Sequence, residues 1–353
     1  MKKIMLLLLL AFSVALAAGC GTKETAKEPA KEESQGTKLA YVGSETCKGC
    51  HIKAYEAWSK TLHTKMVQDA KADAAVIIGD FSKPGNPFEK ATNLKKEDIV
   101  YTVGSKWKQR YVWKDGDALR FLPAEWIVKD QKWQPYKDKT WQTLDYGQTC
   151  TGCHNTGYDP QKKTWTENGV GCEACHGPGS KHVAKAAKDN IINPKNLDAK
   201  KQVEVCGQCH VRGQEGDNIR EDAVGYIPGG DDFAQFMKPL TPSPEELAKE
   251  KPAFYPDGAS KKHHQQYNDF VQSKHYAGGM SCTTCHDAHG GVEAGQLKDK
   301  VENICFSCHN KGGKAQTKLD EPLDIKKYMP KRAKSATAGD ITTHTFKLNQ
   351  PVK

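Results

Sequence analysis

The chain has 353 residues, of which 37% are hydrophobic, and its mean hydropathy is −0.72. Side chains of this composition would build only a thin core for a chain of this length, unless a large apolar group added to it. The formal net charge is +9, and beyond the first 18 residues no apolar run is long enough to cross a bilayer. The composition therefore excludes a protein with several membrane-spanning helices.

The N-terminus resembles a lipoprotein export signal. Met1–Lys3 is basic and Ile4–Ala18 is an apolar run of signal-peptide length. Cys20 follows Leu16–Gly19 where the acylated cysteine of a lipobox would lie. We predict that residues 1–19 are a signal peptide and that Cys20 is lipidated; the alternative is an ordinary cleaved signal with a stray cysteine.

The next segment, residues 20–40, is polar, charged and almost free of large apolar side chains. This composition predicts a flexible tether behind the acylated cysteine. Residues 41–353 would then be an exported domain, anchored by lipid to the outer membrane or to the external face of the cytoplasmic membrane. It would face the periplasm or the exterior.

Six Cys-x-x-Cys-His pentads follow, and each is the attachment pattern of a covalent haem c. Two thiols form thioethers with the porphyrin, and the adjoining imidazole binds the iron. Twelve of the 13 cysteines belong to these pentads, which leaves only Cys20. In chain order they define haem sites 1 to 6: Cys47–Cys50–His51, Cys150–Cys153–His154, Cys172–Cys175–His176, Cys206–Cys209–His210, Cys282–Cys285–His286 and Cys305–Cys308–His309.

Paired cysteines also occur in zinc ribbons and in disulfide frameworks. Neither requires a histidine after every second cysteine, so we favour six covalent haems.

Haem also changes the net charge of the protein. Removal of Lys2 and Lys3 leaves +7, and about twelve propionates against about six ferric cores bring the oxidised protein near +1. The sequence therefore does not predict a nucleic-acid partner.

Two kinds of element are predicted between sites 1 and 2. Apolar residues at three- and four-residue steps predict a helix over Ile52–Met66. Short β-type runs separated by the turn-forming stretches Lys114–Asp117 and Lys129–Lys132 predict a small antiparallel sheet, in an insertion at about residues 76–146. The tryptophans of the insertion either form a stacking surface for a ligand or, as we favour, fill a small core: Trp107, Trp113, Trp126, Trp133 and Trp141.

The rest of the chain predicts little regular structure. Residues 213–262 are rich in glycine and proline and predict an irregular surface connection with a short helix at Glu245–Glu250. The fold class expected is a mostly α and irregular multihaem cytochrome c fold, organised around six covalent haems, with the β insertion between sites 1 and 2.

Seven further histidines can supply the second axial ligand of each iron. Because His263 and His264 are adjacent, we expect only His264 to bind, which gives six distal ligands: His63, His182, His264, His275, His289 and His344. A methionine (Met66, Met237, Met280 or Met329) is the alternative at any site. On a straight helix His63 would lie about 18 Å from His51, and His182 and His289 follow their own motifs too closely. These three histidines should therefore bind the irons of neighbouring sites.

Four stretches resemble the tetrahaem electron-transfer cytochrome c family of nitrifying bacteria: Tyr41–Cys47, Gly169–Gly179, Cys282–Gly290 and Thr343–Phe346. The resemblance implies bis-histidine haems in alternating stacked and angled pairs. It also implies distal positions for His63, His182, His275, His289 and His344. The six sites and the β insertion depart from the tetrahaem pattern, so the haem order cannot be transferred.

These features predict a lipid-anchored electron-transfer protein rather than an enzyme, carrying electrons between the respiratory chain and a periplasmic or extracellular acceptor. Its partners would be quinol-oxidising or other cytochromes and a terminal acceptor, and homo-oligomerisation stays open. A multihaem reductase with one ligand-accessible haem is one alternative, although every motif ends in histidine. A subunit of an extracellular cytochrome filament is another.

Overall fold

The computed structural model describes residues 39–214, 223–230, 233–293, 295–310, 312–313, 315, 317–332 and 341–348. From Leu39 onward they belong to one compact unit. The predicted signal peptide, Cys20 and nearly all of the tether lie outside the described residues. Within these ranges no helix combines the length and apolar character needed to cross a membrane.

The helices of the described ranges are short, and the longest, α7 and α11, have nine residues each. Helices of this length are not stable alone, so tertiary contacts must hold them. They are α1 (Ser44–Lys48), α2 (Ile52–Trp58), α3 (Tyr146–Thr149), α4 (Thr151–His154), α5 (Glu173–His176), α6 (Ser180–Ala184), α7 (Ala199–Gly207), α8 (Pro244–Leu247), α9 (Gln266–Phe270), α10 (Lys274–Ala277), α11 (Val301–His309) and α12 (Ile325–Tyr328).

One antiparallel sheet lies between sites 1 and 2, as predicted. Its order is β1–β2–β3–β5–β6, and β4 pairs with β3. Its strands are β1 (Val67–Asp69), β2 (Ile99–Val103), β3 (Lys108–Asp115), β4 (Ala118–Phe121), β5 (Ala124–Ile127) and β6 (Lys132–Pro135). Three two-stranded ladders complete the described strands: β7 (Asn155–Thr156) with β8 (Glu167–Asn168), β9 (Gly213–Gln214) with β10 (Lys238–Pro239), and β11 (Lys331–Arg332) with β12 (Ile341–Thr342).

The aromatic residues of the sheet form its core. Tyr111 and Trp126 are fully buried, and Trp133 and Trp141 are 7% exposed in the same cluster. The Trp126 and Trp133 rings meet edge to face, with centroids 5.2 Å apart. The interpretation of the tryptophans as core residues is therefore confirmed for these three.

The predicted helix over Ile52–Met66 is wrong beyond Trp58, where α2 ends. Turns replace the helical hydrogen bonds there: Thr61 N donates to the Trp58 carbonyl at 2.9 Å, and Met66 N donates to the His63 carbonyl at 3.3 Å. The same segment is tied to a distant residue, because Trp58 Nε1 donates to the Val170 carbonyl at 2.9 Å and Val170 N donates to the His63 carbonyl at 3.0 Å. Leu62, placed on the predicted apolar face, is 37% exposed. The straight-helix distance between His51 and His63 therefore does not apply.

The stretch 213–262 was predicted to lie on the surface, but several of its side chains are buried. Tyr226, Phe233 and Met237 belong to one buried cluster, together with Val211, which precedes the stretch. Phe254 is also buried. The helix expected at Glu245–Glu250 is α8 (Pro244–Leu247), which begins where the Ser243 hydroxyl accepts a hydrogen bond from Glu246 N at 3.2 Å.

Truncating Trp126 tests the packing of the sheet. We expect Trp126→Ala to lower the free energy of unfolding by about 3–5 kcal/mol, because it leaves a cavity at a fully buried position. Denaturant unfolding of the haem-loaded protein, followed by far-UV circular dichroism, measures the loss. Trp126→Phe is the matched control, since it keeps a six-membered aromatic ring and leaves a smaller cavity, and the indole N–H that it also removes has no hydrogen-bond partner in the described residues; we expect a smaller loss in this variant. Equal losses in the two variants would contradict the packing explanation.

Candidate haem sites

Each motif is wound into about one helical turn. His51 N donates to the Cys47 carbonyl at 2.9 Å, and the same bond links His210 to Cys206 at 2.9 Å and His286 to Cys282 at 3.0 Å. Residues three and four apart share one face of such a turn. The two thiols and the imidazole of a motif are therefore presented on the same side of the backbone, as attachment to one porphyrin requires.

Two other uses of the cysteines find no support in the described part of the chain. None of the twelve motif cysteines forms a disulfide there. No group of three His, Cys, Asp or Glu side chains within these ranges converges as a metal cage would require.

Five of the six motif histidines lie opposite a second histidine. Two imidazoles bound to opposite sides of one iron by bonds of about 2 Å have ring centres about 6 Å apart. The observed centroid separations are 6.2 Å for His51 and His182, 6.3 Å for His63 and His210, 6.0 Å for His176 and His289, 5.9 Å for His275 and His309, and 6.2 Å for His286 and His344. The spacing fits a haem iron between the members of each pair.

The second histidine always comes from another segment of the chain. His182 follows motif 3 but lies beside His51 of motif 1, and His63 follows motif 1 but lies beside His210 of motif 4. His289 follows motif 5 and lies beside His176 of motif 3. Sequence spacing predicted that His63, His182 and His289 do not bind the iron of their own motif. The structure places each of them beside the histidine of another motif.

Burial keeps several of these imidazoles neutral. It lowers the pKa of His63 to about 4, with a smaller contribution from the charge of His210. It also lowers the pKa of His344 to about 4, and His286 adds to this effect. A neutral imidazole is the form that binds a metal, so both rings are available as ligands at neutral pH.

The surroundings of the histidines also fit a large apolar group. Three exposed apolar side chains directly adjoin paired histidines: Ile52 is 45% exposed, Leu62 is 37% exposed and Val183 is 52% exposed. The three buried hydrophobic clusters contain no motif cysteine or histidine among their buried members. A porphyrin beside each pair would cover the apolar surface that side chains leave open.

Neighbouring motifs touch through their thiols. The Cys47 side chain lies close to that of Cys172, and the Cys206 side chain lies close to that of Cys282. These contacts place site 1 next to site 3 and site 4 next to site 5. Cys153 Sγ lies 3.7 Å from the Gln208 carbonyl, which places site 2 next to site 4.

Site 2 is built differently from the five paired sites. Among the described residues, the aromatic ring that contacts His154 is that of Tyr146, with centroids 6.4 Å apart, and ligation of an iron by His264 stays a prediction. His263 and His264 instead contact each other, with His264 Nδ1 3.1 Å from His263 Nε2. Burial is the largest cause that lowers the pKa of His154 to about 4, and Arg110 adds to it.

Sequence reasoning missed the buried carboxylate that joins sites 1 and 3. Glu173 lies between the two cysteines of motif 3 and is 1% exposed. Its oxygens accept hydrogen bonds from Val42 N at 2.9 Å, Gly43 N at 2.7 Å and Gly179 N at 2.7 Å. Gly179 directly precedes α6, which carries His182. The only sequence signal was an acidic residue inside a motif, which does not distinguish this role from surface charge.

Comparisons with known proteins agree with this geometry. The family model "Cytochrome c554 and c-prime" matches residues 46–95 and 108–177, and the model "Doubled CXXCH motif" matches residues 274–314. The multiheme cytochrome MtrA of Shewanella baltica (strain OS185) is 26% identical over 144 residues. This match covers 40% of the chain and 42% of MtrA, so the chain aligns with less than half of that protein.

The chain is a multihaem c-type cytochrome. Its fold is similar to that of the outer cell wall cytochrome OcwA, with a TM-score of 0.72 and 24% identity over 87% of this chain and 79% of OcwA. The structural likeness concerns the fold alone. Covalent haem c is therefore the cofactor of this cytochrome, and the motif residues described above are those that fit it.

Replacing Glu173 tests the connection between sites 1 and 3. We expect Glu173→Gln to lower the free energy of unfolding by about 2–4 kcal/mol, because an amide cannot accept all the backbone hydrogen bonds that the carboxylate accepts. Denaturant unfolding of the haem-loaded cytochrome measures the change. Glu45→Gln removes an exposed carboxylate of α1 and should leave the unfolding midpoint unchanged. Equal effects would show that charge, rather than the buried hydrogen bonds, is responsible.

Proposed function

We propose that this cytochrome is an electron carrier with six covalent haems, anchored by lipid at Cys20 to the cell envelope. The observation that carries the proposal is the set of five histidine pairs, each at the spacing of two ligands on one iron. An iron with two histidine ligands exchanges electrons without binding substrate.

The chain's part in this function is to hold the imidazoles in fixed orientations. His176 Nδ1 lies 2.7 Å from the Ile192 carbonyl, His286 Nδ1 lies 2.8 Å from the Gly295 carbonyl, and His309 Nδ1 lies 2.6 Å from the Thr317 carbonyl. Such a bond directs Nε2 towards the metal and makes the ligand more basic. Bis-histidine ligation lacks the effect of methionine, which raises the potential, so we expect low potentials at these sites.

Contacts between motifs support the passage of electrons between neighbouring sites. Sites 1 and 3 adjoin through Cys47 and Cys172, and sites 4 and 5 adjoin through Cys206 and Cys282. Interplanar angles of 26° for His51 and His182 and of 15° for His176 and His289 describe nearly parallel rings within each of two neighbouring pairs. Haems held this close would pass electrons along the row without leaving the protein.

MtrA, to which part of this chain is similar, is a multiheme cytochrome, and this supports a role in electron transfer. We therefore propose redox partner proteins, quinol-oxidising or other cytochromes, on one side and a periplasmic or extracellular acceptor on the other. In a filament, a neighbouring protomer would supply a distal ligand. The five pairs described here are complete within one chain, so in a filament the neighbouring protomer would complete site 2.

Removing one distal histidine tests the carrier function. We expect His182→Ala to convert one haem, that of site 1, from low to high spin, because its imidazole is the one placed opposite His51. Electron paramagnetic resonance, with a mass-based haem count of six, measures the conversion. Lys181→Ala changes the exposed neighbouring residue of α6 and should leave the spectrum unchanged. A spectrum of His182→Ala identical to that of the parent would contradict ligation by His182.

Replacing the proposed acylation site tests the anchor. We expect Cys20→Ser to release the cytochrome from the membrane fraction with its haem content unchanged, because the haem motifs do not include this cysteine. Fractionation with haem staining measures the distribution. Membrane association that survives the substitution would contradict lipidation at Cys20.

A further inference from the structure

Site 6 differs from site 5 in how its distal imidazole is held. At site 5, His286 Nδ1 and His344 Nδ1 lie 2.8 Å and 3.2 Å from a backbone carbonyl oxygen. At site 6, His309 Nδ1 has such a partner, but the buried Nδ1 atom of His275 has no hydrogen-bond partner in the described residues. A hydrogen bond within this part of the chain therefore does not fix the orientation of the His275 ring.

The backbone around His275 is nevertheless fixed. The helix α10 begins where the Ser273 hydroxyl accepts a hydrogen bond from Tyr276 N at 3.1 Å. The His275 carbonyl accepts another from Met280 N at 3.0 Å. These bonds set the position of the histidine Cα atom, but they leave rotation of the imidazole about its Cβ–Cγ bond free. The side chains packed against the imidazole must therefore set its plane.

A phenyl ring packs against this imidazole. Among the described residues, two aromatic rings contact His275, those of His309 and Phe346. The Phe346 ring is the closer one, with centroids 4.2 Å apart and planes inclined by 65°. It also contacts His344 of site 5, with centroids 6.3 Å apart. The phenyl ring thus lies between the distal histidines of two sites and places site 6 next to site 5.

The backbone of Phe346 has an unfavourable conformation. Its φ of +52° lies in the left-handed region, which residues with a large side chain rarely adopt. The chain is fixed before this residue, because His344 N donates to Asp269 Oδ2 at 3.0 Å. It is also fixed after it, because Lys347 Nζ donates to the Asp257 carbonyl at 2.9 Å. An unfavourable conformation that is held from both sides points to a function of the side chain.

The relative orientation of the two imidazoles also distinguishes site 6 from site 5. Their planes are inclined by 72° at site 6, against 31° at site 5. Two nearly perpendicular imidazoles, one of them without a hydrogen bond at Nδ1, stabilise ferric iron less than two nearly parallel and hydrogen-bonded ones. Both features of site 6 therefore raise the reduction potential of an iron bound there.

We propose that Phe346 is a positioning residue for His275. Its ring holds the imidazole nearly perpendicular to that of His309, and it keeps the potential of the site 6 haem above the value that a hydrated His275 would give. Phe346 thereby favours transfer of one electron from ferrous site 5, which becomes ferric, to ferric site 6, which becomes ferrous. The inference rests on the proposed function, since it takes His275 and His309 as the ligands of a covalent haem.

Electron paramagnetic resonance of the oxidised cytochrome, combined with a redox titration, tests the inference. Ferric haems with perpendicular imidazoles give a low-spin signal of large g value, distinct from the rhombic signal of parallel ones. We expect the parent to show the large-g signal from sites 4 and 6, whose imidazole planes are inclined by 76° and 72°. In Phe346→Ala the signal of one haem should shift and its potential should fall, because water reaches Nδ1 of His275.

Two further variants separate the orientation of the imidazole from the stability of the fold. Phe346→Tyr keeps the ring and should restore the signal and the potential of the parent. Phe254→Ala is the matched packing control, since Phe254 is 1% exposed and its ring contacts no histidine ring in the described residues. This control should destabilise the cytochrome and leave every haem signal unchanged. Where Phe346→Ala does not bind six haems, Phe346→Leu takes its place.

Unchanged signals and potentials in Phe346→Ala would refute the inference. A parent without the large-g signal would also refute it, and this measurement needs no variant. Equal spectral changes in Phe346→Ala and Phe254→Ala would show that loss of packing, rather than the contact with the imidazole, is responsible. His275→Ala separates these failures from that of the proposed function. It should convert one haem to high spin, and an unchanged spectrum would refute ligation by His275 itself.

Discussion

Five pairs of histidine rings about 6 Å apart organise the cytochrome, and an iron ligated by both rings of a pair would fix this distance. His182 lies beside His51, and His210 lies beside His63, although well over a hundred residues separate the members of each pair. Each pair therefore acts as a cross-link between distant segments. Because these links hold distant segments together, helices of four to nine residues are long enough to position the motif side chains.

Buried carboxylates also connect distant segments of the chain. Glu173 binds the backbone before motif 1 and the turn before α6. Asp269 has the same role near site 5: Ser260 N donates to Oδ1 at 2.7 Å, and His344 N donates to Oδ2 at 3.0 Å. In both cases a charge-assisted acceptor fixes the backbone that carries a distal histidine. Irregular segments are held in place in this way without a core of their own.

The sheet between sites 1 and 2 is stabilised instead by its own buried side chains. Its core is aromatic, built on Tyr111 and Trp126, and it does not require a cofactor. The strand that carries Tyr111 also carries Lys108 and Arg110, which both pair with the buried carboxylate of Glu125 at 2.8 Å and 2.7 Å. The insertion is thus a hydrophobic unit with its own buried ion pairs.

The sequence alone determined the cofactor and the local structure that holds it. A thioether site needs only Cys-x-x-Cys-His within one helical turn, and the alternating runs of the sheet depend on neighbouring residues, so both could be predicted. The helix over Ile52–Met66 was wrong beyond Trp58, where the chain turns and is bonded to Val170, a residue far along the sequence. The pairing of His63 with His210 was likewise decided by the tertiary structure. A ligand's partner depends on distances between remote segments, and residue spacing in the sequence does not contain them.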